Sequence, residues 1–120
     1  MDLVQQLEVA PLDLPIGRDD RIRRVYDGLV QDPGDSRTLK EWGHVVGASE
    51  RTLARLFLAH TGLGFRQWRQ QFRILEAIQR LGCGEPVTTV AFELGYESPS
   101  AFITMFRKAL GKTPGQYLRG

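Results

Sequence analysis

The sequence predicts an all-α fold, and three observations predict it. No segment alternates apolar and polar residues as a half-buried strand does, and no Asn-Gly or Asp-Gly pair lies between two strand-like runs. Apolar residues recur instead at spacings of three and four. Residues that start and stop helices bracket each of these runs, which gives about seven helices.

Taken in order, residues 1–17 contain Pro11, Pro15 and Gly17 with little periodicity and read as a linker or the stub of a preceding region, so the domain is placed at 18–120. A first helix starts at Asp19 or Asp20, acids that suit the positive end of a helix. It carries Ile22, Val25, Tyr26, Leu29 and Val30 at helical spacing and stops before Pro33-Gly34. Thr38-Leu39-Lys40-Glu41 matches a capping box and opens a short helix that ends at Gly47. Ser49 caps the next, whose inward positions are Leu53, Leu56 and Phe57 and which Gly62 and Gly64 close. A longer helix runs from Phe65 to Leu81 with Trp68, Phe72, Leu75 and Ile78 as its stripe, ended by Gly82 and Gly84. After Pro86, the run Val87, Val90, Ala91 and Leu94 makes a short helix up to Gly95. Ser98-Pro99 is a strong start, since serine caps exposed amides and proline gives up a donor that had no partner; Phe102, Met105, Phe106 and Leu110 follow on one face. Thr113-Pro114 repeats that start for a last turn through Tyr117 and Leu118.

The short helices repeat. Leu39, Trp42, Gly43, Val46 and Gly47 match Val87, Val90, Ala91, Leu94 and Gly95 at an offset of 48 residues. With one residue inserted in the turn, Ser49, Leu53, Leu56, Phe57, Gly62, Gln67 and Trp68 match Ser98, Phe102, Met105, Phe106, Gly111, Gln116 and Tyr117 at 49. Each unit is a short helix, a glycine-containing turn and a capped second helix, which is the form of a helix-turn-helix. The chain therefore divides into a first unit (18–63), a joining helix (65–81) and a second unit (86–120).

Composition narrows the function. The chain has 42% hydrophobic and 25% charged residues, average for a globular domain, and no run of about 18 apolar residues or secretory start, so it reads as cytoplasmic with no membrane partner. Cys83 is the single cysteine and the histidines are His44 and His60, which rules out an internal disulfide and a thiolate-rich zinc site. Cys83 also lies between Gly82 and Gly84 with both histidines far off in sequence, so no enzyme, metal or other cofactor is expected. Charge is lopsided: residues 1–50 hold ten acids against six bases, and residues 51–120 four acids against ten bases. A local excess of this kind suits a polyanion, the alternative being a solvated basic surface.

The stretch Ala91-Phe92-Glu93-Leu94-Gly95-Tyr96-Glu97-Ser98-Pro99-Ser100-Ala101-Phe102, with Phe106-Arg107-Lys108, Gly111-Lys112-Thr113-Pro114 and Tyr117, resembles the signature of the AraC/XylS family of bacterial transcription regulators, and the likeness extends over roughly residues 37–119. Trp42 and Phe65 depart from it, standing where a smaller aliphatic residue and a proline are common. The resemblance implies sequence-specific binding of double-stranded DNA, with recognition helices starting at Ser49 and Ser98 entering successive major grooves. The expected partners are promoter or operator DNA and RNA polymerase. Many members carry a separate effector or dimerisation domain, for which this chain has no length.

On that reading the outward residues of the two recognition helices face the bases. Arg51 and Arg55, one turn apart, can each bond guanine O6 and N7, the alternative being a phosphate contact or plain surface. Thr52 lies beside them. Glu50 is read as a favourable charge at the helix start. Pro99, Ser100, Ala101, Ile103 and Thr104 can reach only thymine methyls or hydroxyl partners, so the second helix is expected to read methyls or shape. Ser49, Arg66, Arg69, Arg73, Arg107, Lys108, Lys112 and Thr113 are the phosphate candidates. Trp68, Phe72, Phe102, Phe106 and Tyr117 are assigned to the core. The rival reading is a helical protein-interaction module that has lost DNA binding; Ile103 leans toward it, Arg51 and Arg55 against it.

Overall fold

The computed structural model describes residues 19–119, and the expectation for residues 1–17 lies outside them. Among the described residues the fold is all-helical. Its seven helices are α1 (Asp20–Gln31), α2 (Leu39–Val46), α3 (Glu50–Thr61), α4 (Phe65–Gly82), α5 (Val87–Glu93), α6 (Pro99–Leu110) and α7 (Pro114–Leu118). No helix there is long and apolar enough to cross a membrane.

Local chemistry sets the starts. The Arg21 amide donates to the Asp19 carboxylate (3.0 Å), the Thr52 amide to the Ser49 hydroxyl (3.1 Å) and the Ala101 amide to that of Ser98 (3.1 Å). Thr38 and Thr113 each form a full capping box, with Glu41 and Gln116 accepting in return from the cap amides. Hydrogen bonds from Thr38, its backbone amide first, hold the Glu41 carboxyl below its ordinary range. The ends are equally local: α2, α3 and α6 stop where Gly47, Gly62 and Gly111 take left-handed backbone. Between α3 and α4 the buried Thr61 hydroxyl donates to the Phe57 carbonyl (2.7 Å) and accepts from the Leu63 amide (3.1 Å), which fixes that turn.

Two clusters of buried side chains form the core. Ile22, Val25, Leu29, Trp42, Val46, Leu53 and Phe57 make the first together with Phe65, Trp68 and Phe72 of α4. Val90, Ala91, Leu94, Phe102, Phe106 and Leu110 make the second together with Ile74, Ala77 and Leu81 of α4. At about 100° per residue, the α4 positions given to the first cluster and those given to the second point about 180° apart. The joining helix thus buries one face in its first half and the opposite face in its second. This corrects the single stripe expected from periodicity: Leu75 is only half-buried, Ile78 packs at the edge of the second cluster, and Ile74 and Ala77 are the buried residues instead.

Trp42, one of the departures noted above, is accommodated by Gly28. A Cβ at Gly28 would lie 2.6 Å from the far edge of the Trp42 ring, itself buried. Glycine inside a helix ordinarily costs about 0.5–1 kcal/mol relative to alanine. Gly28→Ala is therefore expected to destabilise the native chain by about 1–3 kcal/mol through overpacking, but to stabilise a Trp42→Leu background. A double-mutant cycle by urea unfolding measures the coupling; the same effect in both backgrounds would refute it.

Candidate nucleic-acid interface

Counted from their serine caps, α3 and α6 present matching positions outward. On α3, Arg51, Arg55 and Leu58 lie opposite the buried Leu53 and Phe57. On α6, Ser100, Thr104 and Arg107 occupy the equivalent places opposite Phe102 and Phe106. All six outward residues are exposed. Among the described residues the Arg51 and Arg55 guanidiniums form no ion pair or hydrogen bond, so both are available to a ligand.

The other sequence-predicted residues divide. Ala101, Arg66, Arg107 and Lys108 are exposed, and Pro99 and Lys112 half-exposed. The Thr52 hydroxyl accepts from Ser49 (2.9 Å), and the hydroxyls of Ser49 and Thr113 are engaged in capping, so what these starts offer a phosphate is backbone N–H. Ile103 is half-buried against the second cluster, one position beyond Phe102, and its methyl groups serve the core as much as the surface. Tyr117 stands edge-on to Phe106, with ring centres 5.8 Å apart, in keeping with a packing role.

Arg69 and Arg73 are placed differently from expectation. The Arg73 Nε donates to the Pro33 carbonyl (2.8 Å) and a terminal nitrogen to the Asp35 carbonyl (2.6 Å); Arg69 donates to the Arg37 carbonyl (2.6 Å) and lies over the Phe65 ring. Burial, more than any neighbouring charge, shifts both guanidiniums down from their ordinary value, and as arginines they remain cationic. The physical reason is the loop between α1 and α2, which passes over this stretch of α4 and turns its carbonyls toward it.

Two outward features escape the sequence reading. Leu58 is 59% exposed on the same face as Arg51 and Arg55. Its signal was the 49-residue offset, which pairs it with Arg107. Gln70 of α4 lines a groove of about 690 Å³ together with Ala101, Thr104, Met105, Lys108 and Ala109 of α6. A second cleft, of about 760 Å³, opens where the starts of α2, α3 and α4 converge, lined in part by Thr38, Glu50, Gly64 and Arg66.

Two capped helices of equal length, carried by matching units and exposing matching faces, define a tandem helix-turn-helix domain, a fold that lays helices in a DNA groove. The helix-turn-helix domain family profile matches residues 42–120, and the chain belongs to this family in its AraC type. It is 44% identical over 117 residues to the HTH-type transcriptional regulator NimR of Escherichia coli strain K12, a match that takes in 98% of this chain and 43% of that protein. It thus spans less than half the length of that relative. Among solved structures, the DNA-binding domain of AdpA, a global transcriptional factor in complex with a target DNA, is 27% identical. It aligns with a TM-score of 0.74 over 84% of this chain and 92% of that one. The C-terminal domain of AraT, a response regulator from Geobacillus stearothermophilus, is 25% identical at a TM-score of 0.75, over 84% and 85% of the two chains.

Proposed function

We propose that this chain is the operator-reading part of a bacterial transcription regulator acting in the cytoplasm with RNA polymerase, and that a single copy sets α3 and α6 into successive major grooves of duplex DNA. The observation that carries this reading is the pair of matched, uncovered outward faces on α3 and α6. Supporting it, the longest dimension of the described residues is 42 Å, enough to span one turn of DNA at about 34–36 Å. The DNA-bound state of AdpA favours the same reading. Arg51, Arg55 and Leu58, with Thr52 beside them, would read the first groove, and Ser100, Ala101 and Thr104 the second, with Pro99 and Ile103 shaping its rim. Arg66, Arg107, Lys108 and Lys112, with the first-turn amides after Ser49 and Thr113, would meet phosphates. Arg69 and Arg73, occupied by carbonyls, are assigned to holding the fold.

Selection of bound sequences from a random duplex pool tests this. Two short determinants about 10 bp apart are expected; one compact determinant would overturn the two-groove reading. Salt dependence tests the phosphate assignments. Log affinity should fall linearly with log salt, and Arg66→Ala or Lys112→Ala should each lower the slope by about 0.9 while weakening all sequences alike. A change in sequence preference in either variant would reassign that residue to base reading.

A further inference from the structure

Two helix-turn-helix units joined only by α4 would share one covalent connection, and any bend in that helix would change how α3 and α6 stand relative to each other. The structure has a second connection. The loop between α1 and α2, which belongs to the first cluster's side of the molecule, reaches the turn between α5 and α6. The contact is backbone on backbone: a Cβ at Gly34 would lie 2.5 Å from the Glu93 carbonyl oxygen and 3.0 Å from the Gly95 nitrogen, and one at Gly95 would lie 2.7 Å from the Gly34 carbonyl oxygen. No side chain stands between the two segments at this point. The loop is itself made stiff, since the Asp35 amide donates to the Asp32 carbonyl (3.0 Å), the Arg37 amide to the Asp35 carboxylate (2.8 Å), and the Arg37 guanidinium lies over the Trp42 ring. From below, Arg73 holds the Pro33 and Asp35 carbonyls and Arg69 the Arg37 carbonyl, so α4 grips the loop at three acceptors. Tyr96, the residue after Gly95, is half-buried beside these two arginines, and burial raises its hydroxyl above the ordinary value against their opposing pull.

We propose that the loop of residues 32–37 is a spacer wedged between the two units, locked to α4 by Arg69 and Arg73, which fixes the separation and rotational phase of α3 and α6 and thereby the spacing of DNA determinants the protein accepts. This rests on the two-groove reading above. Each base pair inserted between determinants moves the second by about 3.4 Å and turns it by about 35°. A pair of helices held at two points cannot follow that displacement, whereas a pair joined by one helix alone can bend to it. Gly34 is the sensitive position because the atoms a side chain there would strike are backbone, which cannot swing aside. The arginines act through the loop and are positioning residues rather than DNA contacts.

The test compares wild type, Gly34→Ala and Arg73→Met on duplexes in which the two selected determinants are set from two base pairs too close to two too far, and on duplexes bearing only one determinant. Helix content by circular dichroism identifies variants that retain the fold, and Arg73→Met keeps the test open should Gly34→Ala not fold. Wild type should hold a narrow optimum, losing about tenfold or more for one base pair of change, comparable to a base mismatch. In the variants the optimum should shift or flatten to within about threefold across neighbouring spacings, with one-determinant binding unchanged within about twofold on the same scale. A spacing profile identical to wild type, or a uniform loss at every spacing and on one-determinant DNA alike, overturns the proposal. A wild type that selects only one determinant removes the two-groove reading itself, which separates that failure from failure of the spacer.

Discussion

Replacing Trp68 by alanine is expected to lower the unfolding free energy by about 3–5 kcal/mol, the range for deleting a large buried aromatic. Trp68 is fully buried at the centre of the first cluster. It stacks on Phe72 at 5.5 Å, and Phe57 and Tyr26 meet it at tilted angles at 5.5 and 6.1 Å. Phe57 belongs to α3, so the cavity left by alanine would open under the helix proposed to read the first groove. Against a typical total of about 5–15 kcal/mol, that loss is enough to leave the first unit largely unfolded at elevated temperature. Trp68→Phe should behave very differently. The indole nitrogen of Trp68 is buried with no acceptor among the described residues, a condition that costs about 1–3 kcal/mol. Phenylalanine gives up part of the buried area but also removes that orphaned donor, so a net change within about 1 kcal/mol is expected. Urea unfolding of both variants decides it; a small loss for Trp68→Ala would mean the first cluster can close without its central ring.

What could be read from the sequence follows the range of the interaction that encodes it. The helix starts at Thr38, Ser49, Ser98 and Thr113 were legible because a cap is made by residues three apart. The outward placement of Arg51 and Arg55 was legible because Leu53 and Phe57 fix the inward face of the same helix. The double face of α4 was not. Periodicity finds one apolar stripe per helix, whereas α4 serves two clusters on opposite sides, and small or borderline residues such as Ala77 carry part of the second. The anchoring of Arg73 was not legible for a related reason: its partners are carbonyls 38 and 40 residues away, and a backbone carbonyl leaves no mark in a sequence. Ile103 shows the limit of counting faces, since one position beyond Phe102 is the border of the stripe, where packing decides.

The second large effect concerns recognition rather than stability. Arg55→Ala is expected to remove about 1–3 kcal/mol of discrimination at one guanine, the amount a bidentate arginine contact contributes against the wrong base. The residue is exposed on the outward face of α3 with its guanidinium unengaged among the described residues, so the substitution opens no cavity and breaks no ion pair there, and the fold should survive. The division of labour between the helices follows from the matched positions. Where α3 carries Arg51 and Arg55, α6 carries Ser100 and Thr104, whose hydroxyls can donate or accept but cannot grip two acceptors at once. The half-site under α3 should therefore be the stricter, and Thr104→Ala should relax preferences in the other groove by less than Arg55→Ala relaxes its own. Leu58, on the same face as the two arginines, can add only apolar contact, and Leu58→Ala should weaken a thymine preference next to the guanine rather than the guanine itself. Affinities of wild type and each variant for every single-base change in the selected site measure all three effects at once. Guanine discrimination that is equal in wild type and Arg55→Ala would move Arg55 to the phosphate backbone, and a stricter half-site under α6 would reverse the assignment of the two helices.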